Sequence, residues 1–248
     1  MKPAIGAKGL ILVVVAVLAL AAMPRLLPAR IEFREVDEPK GFRQLVLDGE
    51  SSRLDPLTGT DRGPPASEAD EASVCELLFH DPDSPTVGSG ADKVAVVAFF
   101  DYRCPYCKTL DPLLSGMEAD GDIRLVFKEW PILGANSLLA ARAALAAARQ
   151  GKYPEFHARL MASGFIPTAG YIEALAGELS LDTGRLLADM EAQAVTAEIE
   201  RTFGLAARLG FGGTPSLVVG RTIVNGAIRK ADLKRLVADE AASSTTAC

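Results

Sequence analysis

Phe99–Lys108 reads "FFDYRCPYCK", and its two cysteines, Cys104 and Cys107, stand two residues apart directly after a long apolar run. That run, "KVAVVAFF" (Lys93–Phe100), is continuous and rich in β-branched residues, as expected of a strand buried on both faces. Pro105 suits the first turn of a helix, where a missing N–H costs nothing. The stretch therefore predicts strand, tight turn and helix, with Cys104 at the junction. At a helix N-terminus the unpaired N–H groups and the positive end of the macrodipole favour an anionic sulfur. Cys107, one turn on, is within bonding reach of Cys104 and is expected to be the more buried. Neither Pro105 nor Tyr106 adds an acid that would oppose a thiolate, and the thiolate is the form that attacks disulfides.

Spacing alone leaves alternatives, because C-x-x-C also opens zinc sites. Structural zinc needs four ligands, usually as two close pairs. Here Cys75 and Cys248 are isolated, and His80 and His157 are the only histidines. His157, in the helical "PEFHARLM", has no local partner at ligand spacing and reads as a structural or surface residue. No metal and no cofactor is expected. A purely structural disulfide is the other bland reading, and a redox pair is favoured over both.

The rest of the chain sets the context. Hydrophobic residues make up 49% and charged residues 23% of 248, enough for a sizeable core. A net charge of −6 offers no basic field for nucleic acid. Lys2 and Lys8 precede "GLILVVVAVLALAAM" (Gly9–Met23), which carries no charge. Its length suits a secretory signal better than the roughly 20 residues of a full span, and Ala19-Leu20-Ala21 could be cleaved. Leu26 and Leu27 extend it, so residues 1–28 read as a signal peptide or an uncleaved anchor, with residues 9–27 as the tether. Either way the body is exported, where paired cysteines tend to be disulfides. Cys75 and Cys248 are then expected to pair with each other, the alternative being a buried Cys75 and a free or intermolecularly bonded Cys248.

Residues 29–90 read as a polar linker region. Within it "IEFREVDEPKGFRQLVL" (31–47) packs weakly on the main domain, "DRGPPASEADEAS" (61–73) is too polar to order itself, and "VCELLF" (74–79) forms a short helical turn closed by "HDPDSP". Beyond residue 91, "IRLVFKEW" (123–130) is a second strand, with Lys128 and Glu129 at a solvated strand end. "NSLLAARAALAAARQG" (136–151) is a helix capped by Asn136 or Ser137. Further helical patterns follow through "AEIERTFGLAARLG". "SLVVG" and "RTIVNG" (216–226) form a hairpin, and "ADLKRLVADEAA" (231–242) a last amphipathic helix.

Three separated motifs, "FFDYRCPYCK", "FKEWPILG" (127–134) and "GGTPSLVVG" (212–220), in this order around a helical block, resemble the DsbA family of thiol-disulfide oxidoreductases. The resemblance spans about Lys93–Ala242. It implies an α/β, thioredoxin-like fold in residues 91–248 with a helical insertion at about 134–210. It also implies Cys104 as attacking and Cys107 as resolving cysteine, and a cis Thr214–Pro215 bond facing the pair. Thr214, Pro215, Pro105 and Tyr106 would border the substrate. The implied partners are cysteine-containing substrate proteins and a membrane redox partner; nucleic acid is not one. One departure stands out: many relatives carry a buried glutamate six residues before the first cysteine, where this chain has Ala98. Glutaredoxins also use "CPYC", but the export segment and the insertion speak against them. The expected activity is disulfide donation to folding proteins. The alternatives are an isomerase or reductase, or a Cu(I)-binding protein using the same soft thiol pair.

Overall fold

Seven strands form one mixed sheet in the computed structural model. They are β1 (Glu32–Glu35), β2 (Arg43–Val46), β3 (Thr86–Val87), β4 (Val94–Phe100), β5 (Ile123–Glu129), β6 (Ser216–Val219) and β7 (Thr222–Asn225), in the spatial order β1-β2-β7-β6-β4-β5-β3. The structure describes residues 31–37, 39–46, 68–90 and 93–243. The expected leader or anchor at 1–28 and Cys248 lie outside them. The chain divides into two compact units, Met1–Glu32 and Phe33–Cys248, and the site lies in the second.

The apolar run after Lys93 becomes the central strand. β4 pairs in parallel with β5, in register Ala98↔Phe127 and Phe100↔Glu129, and antiparallel with β6. A parallel pair needs a crossover, and helix α2 (Pro105–Ala119) supplies it. α2 stops at Asp120, and Gly121 takes φ +81°, a conformation open to glycine, to turn the chain into β5. Gly220 (φ +53°) sits at the tight turn between the antiparallel strands β6 and β7.

Alternation along the strands gives the sheet two packed faces. On one, Val97, Phe99, Val126, Val218 and Ile223 meet helix α1 (Glu68–Phe79) through Val74 and Leu78, and helix α7 (Gln193–Arg208) through Leu205 and Ala206. Phe99 stacks edge-on against Trp130 and Phe211 there. On the other, Ala98, Phe100, Phe127 and Leu217 face Leu110 and Leu114 of α2, and helix α8 (Lys230–Ala242) packs on β4 and β6.

Between β5 and β6 the chain runs through α3 (Ala135–Ala148), α4 (Tyr153–Ala162), α5 (Ala169–Glu178), α6 (Thr183–Met190) and α7. α3 touches the other four. Alanine has the best helix propensity, and its small side chain lets neighbours approach on every side: Ala140, Ala141, Ala143, Ala144, Ala146 and Ala147 are all buried. The architecture is α/β and thioredoxin-like with an inserted helical block.

Three local expectations differ from the structure. The domain starts well before residue 91, because β2 pairs in parallel with β7 and α1 enters the core. A few apolar anchors (Phe42, Leu45, Val74 and Leu78, each at most 2% exposed) suffice to bind this otherwise polar stretch. "VCELLF" is the end of a 12-residue helix rather than a lone turn. α3 is capped by Gly134, at φ +99°, rather than by Asn136 or Ser137. The Ser137 hydroxyl instead donates to Asp101.

Candidate active site

Cys104 is the N-cap of α2, in extended conformation (φ −77°, ψ 117°), with Pro105 opening the helix behind it. Its sulfur accepts the backbone N–H of Cys107 at 3.3 Å. Cys104 and Cys107 are both free thiols. As a thiol Cys104 donates to the Thr214 carbonyl at 3.2 Å. As a thiolate it is stabilised most by the hydrogen bond from the Cys107 thiol and further by the Thr214 side chain and the N–H groups of Cys107 and Tyr106. Together these outweigh its burial and lower its pKa to about 6. The same hydrogen bond, with burial second, raises the pKa of Cys107 far above the ordinary thiol value.

The expected contrast in exposure is nearly absent: Cys104 is 3% and Cys107 2% exposed. The asymmetry lies in the surroundings. Cys104 sits against the helix N-terminus and the Thr214 carbonyl, whereas Cys107 lines a small cavity with Ala98, Phe100, Phe127 and Pro215. The Thr214–Pro215 bond is cis and Pro215 is buried beside Cys107. Pro105 and Tyr106 are exposed, Tyr106 at 67%.

The turn that carries the cysteines is held by residues that the sequence analysis does not single out. Asp101 is 1% exposed and its carboxylate accepts from Arg103 N (2.7 Å), Leu133 N (2.9 Å) and Ser137 Oγ (2.8 Å). Arg103 returns a bond to the Leu133 carbonyl. Lys108, on the first turn of α2, donates to the Ser163 carbonyl after α4. These bonds fix the cysteine turn against both the β5–α3 loop and the α4–α5 loop.

Lys128 and Glu129 are buried, not solvated. Lys128 Nζ meets Asp81 at 3.2 Å and Glu198 at 3.4 Å on the face away from the cysteines. Glu129 Oε1 is bonded to the hydroxyls of Tyr102 and Tyr153, each at 2.8 Å. Burial raises its carboxyl well above the ordinary value. His157 is also interior: Nδ1 lies 2.9 Å from Tyr102 OH and Nε2 2.8 Å from Asp111 Oδ1. Asp101, Tyr102, Arg103 and Lys108 lie within the quoted motif, but the partners of these bonds are far apart in sequence, which a local reading does not connect.

Among the described residues no three His, Cys, Asp or Glu side chains cluster in a way that could hold a metal ion, and none of their helices is long and apolar enough to cross a membrane.

Comparison with known proteins places the geometry in context. Residues 95–238 match the model of the DSBA-like thioredoxin domain. A thioredoxin-like oxidoreductase from Silicibacter pomeroyi DSS-3 is 44% identical, with TM-score 0.65 over 68% of this chain and 98% of that one. The thiol-disulfide exchange protein alpha-DsbA2 from Wolbachia pipientis is 27% identical, with TM-score 0.64 over 69% of this chain and 94% of that one. Among curated proteins, the Na(+)/H(+) antiporter NhaA 3 of Salinispora tropica is 28% identical over 155 residues, 61% of this chain but 24% of the antiporter. The chain thus spans about a quarter of the curated relatives it matches.

Proposed function

Because the chain belongs to the family of DSBA-like thioredoxin domains and is a thiol-disulfide oxidoreductase, we propose that it acts outside the cytoplasm as a donor of its Cys104–Cys107 disulfide to folding proteins. The observation that carries this reading is the seat of the Cys104 sulfur at the N-terminus of α2, accepting the Cys107 N–H at 3.3 Å beside the cis Thr214–Pro215 bond, where the Cys104 pKa is lowered to about 6 and that of Cys107 is raised. A stabilised thiolate is a good leaving group, and a protein that stabilises its reduced form gives its disulfide away.

In the exchange, a substrate thiolate attacks Cys104 Sγ, the Cys104–Cys107 bond breaks, and Cys107 leaves and takes up a proton. A second substrate thiolate then attacks the substrate sulfur of the mixed disulfide, and Cys104 leaves as the stable thiolate. Two electrons have passed to the protein. A membrane partner would return the pair to the disulfide.

Substrate contact is assigned to Pro105, Tyr106 and the Thr214–Pro215 loop, where an extended segment could add alongside the loop backbone. Exposed apolar side chains support this. Tyr106 is on the site, Leu133 is tied to it through Arg103, and Phe165 and Ile166 follow the Ser163 carbonyl held by Lys108. Unfolded chains offer matching apolar surface.

The export assignment rests on the basic, then apolar, N-terminal sequence, and a tether by residues 9–27 is part of the proposal. Transport is not carried over from the antiporters, of which the likeness covers 24%. The test is the equilibrium reduction potential of the pair against glutathione. A value well above the roughly −300 mV of stable structural disulfides, with catalysed oxidation of a reduced unfolded substrate, supports the donor. A value near that of structural disulfides, with disulfide reduction instead, favours a reductase. Cu(I) titration of the reduced protein against a chelator tests the metal-binding alternative.

A further inference from the structure

Cys107 must lose a proton whenever it closes the disulfide and regain one whenever it leaves. Yet the residue is 2% exposed, so an internal group has to carry that proton. The strand position that faces it from β4 is Ala98, whose methyl group cannot.

On α2 itself stand Cys104 and, one turn beyond Cys107 on the same helix face, Asp111. Asp101, at the end of β4, has its carboxylate engaged by three donors. Glu129, at the end of β5, is covered by the Tyr102 and Tyr153 hydroxyls. Lys108 is turned to Ser163. The Thr214–Pro215 loop brings no titratable side chain. From α4 comes His157. Only Asp111 and His157 line the cavity together with Cys107, and they are joined at 2.8 Å.

We propose that the Asp111–His157 pair relays the proton of Cys107, in place of a carboxyl at position 98. The inference rests on the exchange reaction proposed above. On closure, the Cys107 S–H bond breaks and its proton passes to the pair. The Cys107–Cys104 bond forms while the bond from Cys104 to the substrate sulfur breaks, and that sulfur leaves with the electron pair. On opening, the proton returns to Cys107. The cavity lets it cross by rotation of the thiol toward Asp111 or through a single bridging water.

The surroundings suit this role. The Asp111 side chain is 14% exposed and that of His157 4%, so the pair reaches from the cavity toward solvent. Tyr102 holds His157 from the other side at 2.9 Å. Burial raises the Glu129 carboxyl well above its ordinary value, which disfavours a fixed negative charge behind the pair. Asp111 and His157 act through Cys107 and are positioning and proton-carrying groups rather than sulfur chemistry.

The test follows reduced protein reacting with glutathione disulfide, by acid quench and mass spectrometry from pH 4 to 9. The first step, attack by Cys104, gives a mixed disulfide; the second, attack by Cys107, releases the second glutathione. In Asp111→Asn the second step should slow on the order of 10²-fold, the scale of general acid–base catalysis, and rise in proportion to hydroxide over the range. The first step, the ionisation of Cys104 and the reduction potential should stay as in wild type, which a loss of structure would not allow. Asp111→Glu should restore the rate, and His157→Gln should slow the second step and displace its inflection. An unchanged second step and pH profile in Asp111→Asn overturns the relay while leaving the exchange reaction standing. Failure of wild type to exchange at all overturns the proposed function, and the relay with it.

Discussion

The backbone N–H of Cys107 points at the Cys104 sulfur from 3.3 Å, so the residue that closes the disulfide also stabilises the open thiolate. The Cys107 thiol adds a second bond, the largest contribution to the low pKa of Cys104. Cys107→Ala keeps the N–H and deletes the thiol. Its Cys104 should therefore ionise clearly above the wild-type value of about 6 while remaining below that of a free cysteine. Cys107→Ser, which keeps an O–H donor, should fall between the two. Thiolate absorbance at 240 nm against pH reads all three. An identical midpoint in wild type and Cys107→Ala would falsify the assignment.

The reduction potential should change slope with pH at the same midpoint. The sign follows from linkage: a thiol whose pKa is depressed stabilises the reduced fold above its ordinary pKa, and that stabilisation is lost as pH falls through about 6. Above this value reduction takes up one proton with two electrons, at Cys107, and the potential should fall by about 30 mV per pH unit. Below it two protons are taken up and the slope should steepen to about 59 mV. Redox titrations from pH 4.5 to 8.5 will show the break. A single slope of about 59 mV throughout places the Cys104 pKa above the range.

The strand, the cysteine turn and the helix were legible in the sequence because their causes are local: a β-branched apolar run, Pro105 at the first turn, and two cysteines one turn apart. The proline loop and the insertion came through resemblance to a family, not through periodicity. What escaped has partners distant in the chain. Ser137 looked like a helix cap because Asp101, 36 residues earlier, is invisible to a local window. Lys128 and Glu129 looked solvated for the same reason. β1, β2 and α1 were hidden by polar composition, since Phe42, Val74 and Leu78 declare themselves only once the sheet face they cover exists.

Lys128 gives a stability test away from the cysteines. Its side chain is fully buried between Asp81 and Glu198, whose side chains are 5% and 2% exposed. Arg201 reaches the same two carboxylates from the outside. Burial raises the Glu198 carboxyl, whereas for Asp81 burial is outweighed by Lys128 together with the Asp83 N–H, Glu198 and Arg201, and the pKa is lowered. Removing one member of a buried ion pair strands the other charges at a cost of about 3–5 kcal/mol. Lys128→Ala should lose stability on that scale in urea titrations. Glu191→Ala, at the surface pair with Arg142, should lose no more than about 1 kcal/mol. Equal, small losses in both would show the buried cluster to be energetically idle.

Cys75 is disulfide-bonded, unlike Cys104 and Cys107. The expected partner is Cys248, the remaining cysteine of the sequence, which lies outside the described residues. Cys75 sits in α1 between Val74 and Leu78, which anchor that helix in the core. A bond from it to Cys248 closes a loop around nearly the whole domain. In the loop-entropy model so long a closure is worth about 5 kcal/mol, less any strain. Peptide mapping of the unreduced protein should return a Cys75–Cys248 cross-linked peptide, and Cys75→Ser should expose one new thiol and lower the urea midpoint. Because Cys75 is not part of the cysteine turn, the Cys75→Ser protein should keep the wild-type potential of the Cys104–Cys107 pair. A cross-link from Cys75 to a second chain, or free thiols at both positions, would refute the intramolecular clip.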